Sequence, residues 1–148
     1  MVDQTLILRK LAELESYITQ ISEFKSLTVR KYQTDWKTQR IVDRTLHLMV
    51  EICIDIAGHI ISDQKFRIPD SFADGFRILH ENGIISDGLI ASIVKMAKFR
   101  NILVHQYEKV DPQIVMGILR KNVGDFQMFS NEIVIYLKQI ENKLPNLS

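Results

Sequence analysis

The stretch Lys95–Tyr107 has the sequence KMAKFRNILVHQY. It is rich in apolar residues at helical spacing, yet it places Arg100 inside the apolar run. At about 100° per residue, Arg100 falls within about 60° of an apolar set, whereas Lys95 and Lys98 lie about 140–160° away from it. That apolar set consists of Leu89, Ile93, Met96, Leu103 and Val104. The pattern predicts a helix whose arginine points toward the protein interior.

A guanidinium in apolar surroundings is costly unless it is paired, opens onto a polar cleft or meets a second subunit. The spacing leaves these alternatives open. An internal salt bridge would make Arg100 a structural residue, whereas a cleft or a subunit boundary would make it part of a site.

The composition is that of an ordinary folded domain, which we expect to span 1–148. Hydrophobic residues make up 46% and charged residues 25% of 148 residues, and the net charge is +1. Binding of nucleic acid by a uniformly basic surface is therefore not expected, although a local cluster can bind phosphate. The single cysteine, Cys53, excludes an intramolecular disulfide and is predicted to be a buried hydrophobe. We find no signal-peptide pattern and no run approaching 18 uninterrupted apolar residues, so we expect no membrane span and a cytoplasmic location.

Few prolines and glycines interrupt the chain, and they divide it into four long helices and one short helix. The first predicted helix spans about Asp3–Leu27 and is ended by the polar stretch Ser26–Thr34, and the second runs from Thr34 or Asp35 to Ser62. A short helix follows, from Asp70-Ser71 through Leu79 to Asn82-Gly83, and a fourth runs from Ser86 or Asp87 to Tyr107. The last one runs from Asp111-Pro112 to before Pro145, with a kink near Gly117 or Gly124. This pattern predicts an all-α, antiparallel four-helix bundle with one additional short helix.

The second helix is apolar around most of its circumference and carries one narrow polar stripe. The stripe consists of Arg40, Arg44, His47, Glu51, Asp55 and Ser62, all within about 80°. A solvated edge is the simplest interpretation. The alternative is a cleft in which Glu51 or Asp55 holds a buried arginine.

Arg100 and His105 together can support metal-independent cleavage of RNA. Histidine moves a proton near neutral pH, and arginine stabilises charge on a phosphate attacked by the adjacent 2′-oxygen, which leaves a 2′,3′-cyclic phosphate. On an ideal helix the two side chains lie about 140° apart, so within one chain they meet only if the helix loosens near its end or the arginine reaches across. A two-fold dimer that supplies one group from each subunit is the alternative we favour. Asn101, one turn before His105, is placed to orient the imidazole. Residue type alone is equally compatible with ordinary structural roles, in which His105 is an exposed histidine at a helix end and Tyr107 is a packed aromatic residue.

Metal and phosphate-loop motifs are not found. His47 and His59 are about 18 Å apart along one helix, which is too far to share a metal. We therefore expect no metal and no cofactor.

The segment R-N-I-L-V-H-Q-Y, Arg100 to Tyr107, resembles the Arg-x4-His-x-Tyr motif of HepT-type toxins in the HEPN superfamily, and the helical context from Leu6 to Leu137 agrees. The resemblance implies a homodimeric, four-helix-bundle ribonuclease toxin in which Arg100 and His105 are catalytic. It also implies a partner antitoxin, a minimal nucleotidyltransferase similar to MntA, that transfers AMP onto Tyr107.

Two other functions stay open at this point. One is a non-catalytic nucleotide-binding subunit of a two-component nucleotidyltransferase, with Arg100 holding phosphate. The other is a structural dimerisation module with Arg100 in an internal salt bridge.

Overall fold

The computed structural model describes residues 2–105 and 110–143. Over those ranges the chain forms seven α-helices and no strand, which confirms the all-α prediction. The helices are α1 (Gln4–Ser22), α2 (Val29–Thr34), α3 (Trp36–Asp63), α4 (Phe72–Glu81), α5 (Asp87–His105), α6 (Pro112–Lys121) and α7 (Val123–Lys143).

The first helix is shorter than predicted, because the chain after Ser22 turns and then starts a second helix. The backbone N–H of Lys31 donates to the Thr28 hydroxyl at 3.1 Å, which caps α2. The sequence predicted that Ser26–Thr34 only ends a helix. Its second half is itself helical, because a β-region threonine is an effective N-cap.

The long second predicted helix and the short third one are found as α3 and α4. Asp35 caps α3 by accepting from the N–H groups of Lys37 and Thr38 at 3.2 and 3.4 Å. Ser71 caps α4 by accepting from the N–H of Asp74 at 3.0 Å. Gly83, with φ at 72°, ends the turn after α4 in the left-handed region that glycine adopts without strain.

The last predicted helix is broken into α6 and α7. The predicted kink sites were the two glycines, but the break falls between them at Asn122. The Asn122 side chain donates to Asp125 at 2.8 Å, and the N–H of Asp125 donates back to the carbonyl of Asn122 at 3.1 Å. The N–H of Asp125 thus closes a turn three residues back in place of a helical i→i−4 bond, and the bond between the two side chains holds that turn at the break.

The four long helices contact one another in the order α1, α3, α5, α7 and back to α1, and α4 packs on α3 and α5. Every helix contributes buried side chains to one apolar cluster. At its centre the rings of Phe76 and Phe129 meet edge to face, with centroids 6.0 Å apart. The α1–α7 contact also carries polar bonds, since Gln127 and Ser130 donate to Glu15 at 2.7 and 2.9 Å.

Helix α3 packs against α1, α2, α4 and α5. Its length and a mean hydropathy of 1.4 over an 18-residue window would suit a membrane span, but 61% of that window is buried inside the protein. The same properties belong to the core helices of soluble proteins, so they are weak evidence for a span. Cys53 lies on this helix and is fully buried, as predicted.

Candidate functional site

Arg100 points toward the interior of the protein, as its helical position predicted. The residues Leu89, Ile93, Met96 and Leu103 on the same side of α5 are buried, and Lys95 and Lys98 are exposed. The Arg100 side chain keeps 19% of its surface accessible. It is thus a partly exposed cation at the border of an apolar core.

Glu51 of α3 is the ionic partner of Arg100. The guanidinium donates from Nε to Oε1 of Glu51 at 2.5 Å, and its Nη1 donates to the Asn101 side-chain oxygen at 3.3 Å. The exposed ring of Phe72, the first residue of α4, lies under the guanidinium with 5.0 Å between Cζ and the ring centroid. The internal ion pair is therefore present, and of the two carboxylates suggested by the sequence, Glu51 holds the arginine.

The ion pair extends along α3 into a chain of polar contacts. Nη1 of Arg44 lies 3.0 Å from Nδ1 of His47, and Nε2 of His47 lies 3.1 Å from Oε1 of Glu51. Because an arginine N–H only donates, Nδ1 is the acceptor and Nε2 carries the hydrogen that is donated to Glu51. The bonding pattern thus fixes the tautomer of His47 and gives Glu51 two donors.

These donors keep the Glu51 carboxylate charged. Burial raises the pKa of Glu51, but the hydrogen bond and charge of Arg100, with a smaller effect from His47, outweigh it and leave the pKa below its usual value. A charged carboxylate between two donors fixes the guanidinium in one orientation.

Asp55 occupies a different position on the polar stripe. Its carboxylate is 53% exposed and lies 3.6 Å from the ammonium of Lys10. The C-terminal part of the stripe, Asp55 and Ser62, is exposed and lines a cavity of about 470 Å³ that Phe72 also borders. The N-terminal part borders a second cavity.

This second cavity lies between the first half of α3 and the end of α5 and has a volume of about 670 Å³. It is lined by Gln39, Arg40, Asp43, Arg44, His47, Leu103, Val104 and Val110. The polar side chains all come from α3, and the apolar ones come from α5 and from Val110, two residues before α6. We call this cavity the α3–α5 pocket. It directly adjoins the His47–Glu51–Arg100 chain through His47.

His105 is the last residue of α5 and is exposed. It follows Arg100 by about 7.5 Å along the axis and about 140° around it. In the described part of the chain no hydrogen bond joins the two side chains. Asn101 contacts Arg100, and its predicted effect on His105 stays a prediction. Tyr107 lies outside the described residues.

Two features of the site have no local signal in the sequence. The first feature is Phe72, whose position under Arg100 depends on how α4 packs on α3 and α5. The second feature is Arg67, which ties the loop before α4 to that helix by donating to Asp74 at 2.7 and 2.9 Å and to Glu81 at 2.7 and 3.1 Å. The sequence predicted a loop around Arg67 but not this clamp.

Among residues 2–105 and 110–143, no three histidine, cysteine, aspartate or glutamate side chains converge in a way that would hold a metal ion. The polar chemistry of the site is that of arginine, histidine and carboxylate side chains.

The all-helical fold, with Arg100 paired on an apolar helix five residues before His105, agrees with the resemblance to the HEPN superfamily. Residues 14–133 match the family model described as Ribonuclease HepT-like, and the chain belongs to that family.

Similar proteins are known by sequence and by structure. An mRNA nuclease HepT of Shewanella oneidensis is 32% identical over 128 residues, covering 86% of this chain and 96% of that protein. A tRNA nuclease HepT of Aphanizomenon flos-aquae is 25% identical over 142 residues, covering 96% and 97%. A solved structure of a tri-AMPylated Shewanella oneidensis HEPN toxin in complex with an MNT antitoxin superimposes with a TM-score of 0.80 at 32% identity, covering 91% and 99%.

Proposed function

We propose that this protein is the toxin of a toxin–antitoxin pair and acts as a metal-independent endoribonuclease that leaves 2′,3′-cyclic phosphate ends. The observation that carries the proposal is the guanidinium of Arg100, held by Glu51, which is bonded in turn to His47 at the wall of the α3–α5 pocket. The nuclease names of the HepT relatives support it.

Arg100 binds and stabilises the scissile phosphate in this proposal. Arginine has five N–H donors, and the bonds to Glu51 and Asn101 use two of them. The remaining donors are available to phosphate oxygens, which take on charge as the neighbouring 2′-oxygen attacks phosphorus. Glu51 is then a positioning residue that fixes the guanidinium plane.

His105 moves the proton. The 2′-hydroxyl loses its proton as the new P–O bond forms, and the 5′-oxygen gains one as the old P–O bond breaks. An exposed imidazole at a helix end suits either transfer. Asn101, one turn earlier on α5, orients the ring.

A homodimer brings the two groups to one phosphate. Arg100 and His105 of one chain point to different sides of α5, whereas a two-fold axis near the end of α5 places Arg100 of one subunit beside His105 of its partner. We further propose that the four long helices run antiparallel as one bundle and that the dimer is cytoplasmic.

The partner is proposed to be an MntA-like minimal nucleotidyltransferase that inactivates the toxin by transferring AMP from ATP to Tyr107. The tri-AMPylated relative in complex with an MNT antitoxin supports this. A bulky anionic adduct two residues from His105 would fill the cleft and compete for Arg100.

The test is incubation of the purified protein with defined RNAs, followed by end-group analysis with and without EDTA. We expect cyclic phosphate ends that do not depend on the chelator, and loss of cleavage in Arg100→Ala and in His105→Ala. Lys98→Ala, an exposed cation on the far side of α5, is the matched control and should cleave like wild type. Chelator-sensitive cleavage would contradict the mechanism, and nucleotide binding without cleavage would favour the nucleotidyltransferase subunit.

Mixing the two inactive variants tests the shared site. Refolded or coexpressed Arg100→Ala and His105→Ala chains form mixed dimers in which one site has both groups, so about a quarter of wild-type activity should return. A site built within one chain would give no recovery.

A further inference from the structure

The α3–α5 pocket carries more positive charge than the chemistry at Arg100 requires. Arg40 and Arg44 are exposed and one helical turn apart, about 6 Å along the axis. Both line the pocket together with His47. A protein with a net charge of +1 has no general attraction for RNA, so a local pair of arginines at the mouth of a cavity is a candidate for a specific function.

Asp43, the acidic residue that lines this pocket, is hydrogen-bonded to a side chain of α2. Asp43 accepts a hydrogen bond from the hydroxyl of Tyr32 at 2.5 Å, and Tyr32 is fully buried under α3. Burial raises the pKa of Asp43, against the opposing effect of the Tyr32 hydrogen bond. The carboxylate thus belongs to the α2–α3 contact, and the two arginines dominate the open side of the pocket.

An exposed aromatic ring, that of Trp36, lies next to the cations Arg40 and Arg44 along α3. Trp36, the first residue of α3, is 59% exposed, and the guanidinium of Arg40 lies over its ring at 5.1 Å. The ammonium of Lys37 lies 5.7 Å from the same ring. An exposed indole among flexible cations is the combination on which single-stranded nucleic acids stack their bases and neutralise their phosphates.

Trp36, Arg40 and Arg44 follow one another along α3 toward the proposed catalytic site. Arg44 precedes Glu51 by about 10 Å along α3, roughly three nucleotides at the 3.4 Å rise of a stacked strand. Its guanidinium is joined to that of Arg100 through His47 and Glu51. A strand whose scissile phosphate sits at Arg100 therefore has its flanking phosphates within reach of Arg44 and Arg40.

We propose that Trp36, Arg40 and Arg44 form a subsite for single-stranded RNA, in which the arginines bind backbone phosphates flanking the cleavage point and the indole stacks a base. This rests on the proposed ribonuclease function for the location of the cleaved phosphate. It explains how a chain of near-neutral charge holds an RNA strand, and predicts a preference for single strands without a strict sequence.

The test measures binding of wild-type protein to a labelled RNA of about 12 nucleotides, within the range of single-strand sites. Every ribose is 2′-O-methylated, so the strand has no nucleophile and cannot be cleaved. Fluorescence anisotropy is recorded from about 50 to 200 mM salt. Arg40→Ala and Arg44→Ala should each weaken binding about tenfold and reduce the slope of log K against log salt by about 0.7.

The remaining variants separate stacking from charge. Trp36→Ala should weaken binding about tenfold without changing the salt slope. Arg40→Lys should restore the slope. Arg9→Ala, an exposed arginine on α1 away from the pocket, is the matched control and should bind like wild type. Circular dichroism and light scattering check that each variant is folded and keeps the oligomeric state of wild type.

Two results would overturn the subsite: unchanged affinity and slope in both arginine variants, or loss of the oligomer in them, which would make the surface a protein interface. Cleavage of unmodified RNA is read separately. If wild type cleaves and Arg100→Ala does not, the proposed function stands even when the subsite fails. If the 2′-O-methylated RNA binds through Arg40 and Arg44 but unmodified RNA is not cleaved, the subsite is supported and the proposed ribonuclease function is not.

Discussion

The Arg100 guanidinium donates from Nε to the carboxylate of Glu51 across the contact between α5 and α3. The two residues are 49 positions apart in the chain, and both side chains keep part of their surface accessible, 19% and 28%. The pair therefore links α5 to α3 and also holds a cation at the surface of the candidate site. The contribution of each role can be measured.

A double-mutant cycle on Arg100→Ala and Glu51→Ala should give a coupling free energy of about 1–2 kcal/mol in urea unfolding. Each single variant should lose about 1–3 kcal/mol, because it leaves the other charge partly buried without its partner. Lys98→Ala should stay within about 0.5 kcal/mol of wild type. Zero coupling would mean that the contact is not maintained in solution.

The ion pair between Arg67 and Asp74 should make the free energy of unfolding fall in acid. The hydrogen bonds from Arg67 lower the pKa of Asp74 to about 2, below an unfolded value of about 3.9. Since the folded pKa is the lower one, the stabilisation is complete above about pH 4 and is lost as the pH falls toward 2.

Unfolding midpoints measured from pH 6 down to pH 2 test this. The difference between wild type and Asp74→Asn should be largest at pH 6 and should shrink steadily below about pH 4. Glu13→Gln, an exposed carboxylate on α1, is the control and should follow wild type throughout. A difference that does not depend on pH would show that Asp74 acts through packing and not through its charge.

The aromatic pair in the core should be the most sensitive packing contact tested. Phe76 and Phe129 are both fully buried, and their rings meet edge to face. Phe129→Ala should cost about 3–5 kcal/mol through the cavity it leaves. Ile135→Ala on the same helix, 55% exposed, should cost less than about 1 kcal/mol. Equal effects of the two substitutions would contradict the packing of α7.

Cys53 should be chemically silent in the native protein. It is fully buried in α3, and burial raises the pKa of its thiol well above the usual value. A thiol reagent such as DTNB should leave it unmodified in buffer and should react with one thiol per chain in denaturant. Rapid reaction of the native protein would show that α3 opens on the time scale of the assay.

Much of this arrangement was predictable from local sequence signals. Asp35, Ser71 and Gly83 have side chains or backbone freedom that fix helix ends, so α3 and α4 begin and end close to their predicted bounds. The inward direction of Arg100 followed from helical geometry, because 100° per residue decides which side chains share a face. The motif of Arg100, His105 and Tyr107 gave the family.

Local signals failed where a short-range competition decided the outcome. Thr28 starts a helix in a stretch that seemed to end one, and Asn122 divides a continuous apolar pattern into α6 and α7. At Thr28 the side chain accepts from the backbone N–H of Lys31 and caps a new helix. At Asn122 the side chain donates to the carboxylate of Asp125, whose backbone N–H closes a turn on the Asn122 carbonyl.

The sequence by itself determined that this protein is helical and which residue of its central helix must find a partner. Periodicity and capping act over a few residues and can be read without knowing the fold. Only the tertiary structure decided that the partner is Glu51, that Phe72 lies beneath the guanidinium, and that Arg40 and Arg44 border an open pocket. Those contacts join residues of different helices, and the packing of the core, not any local pattern, sets the distance between them.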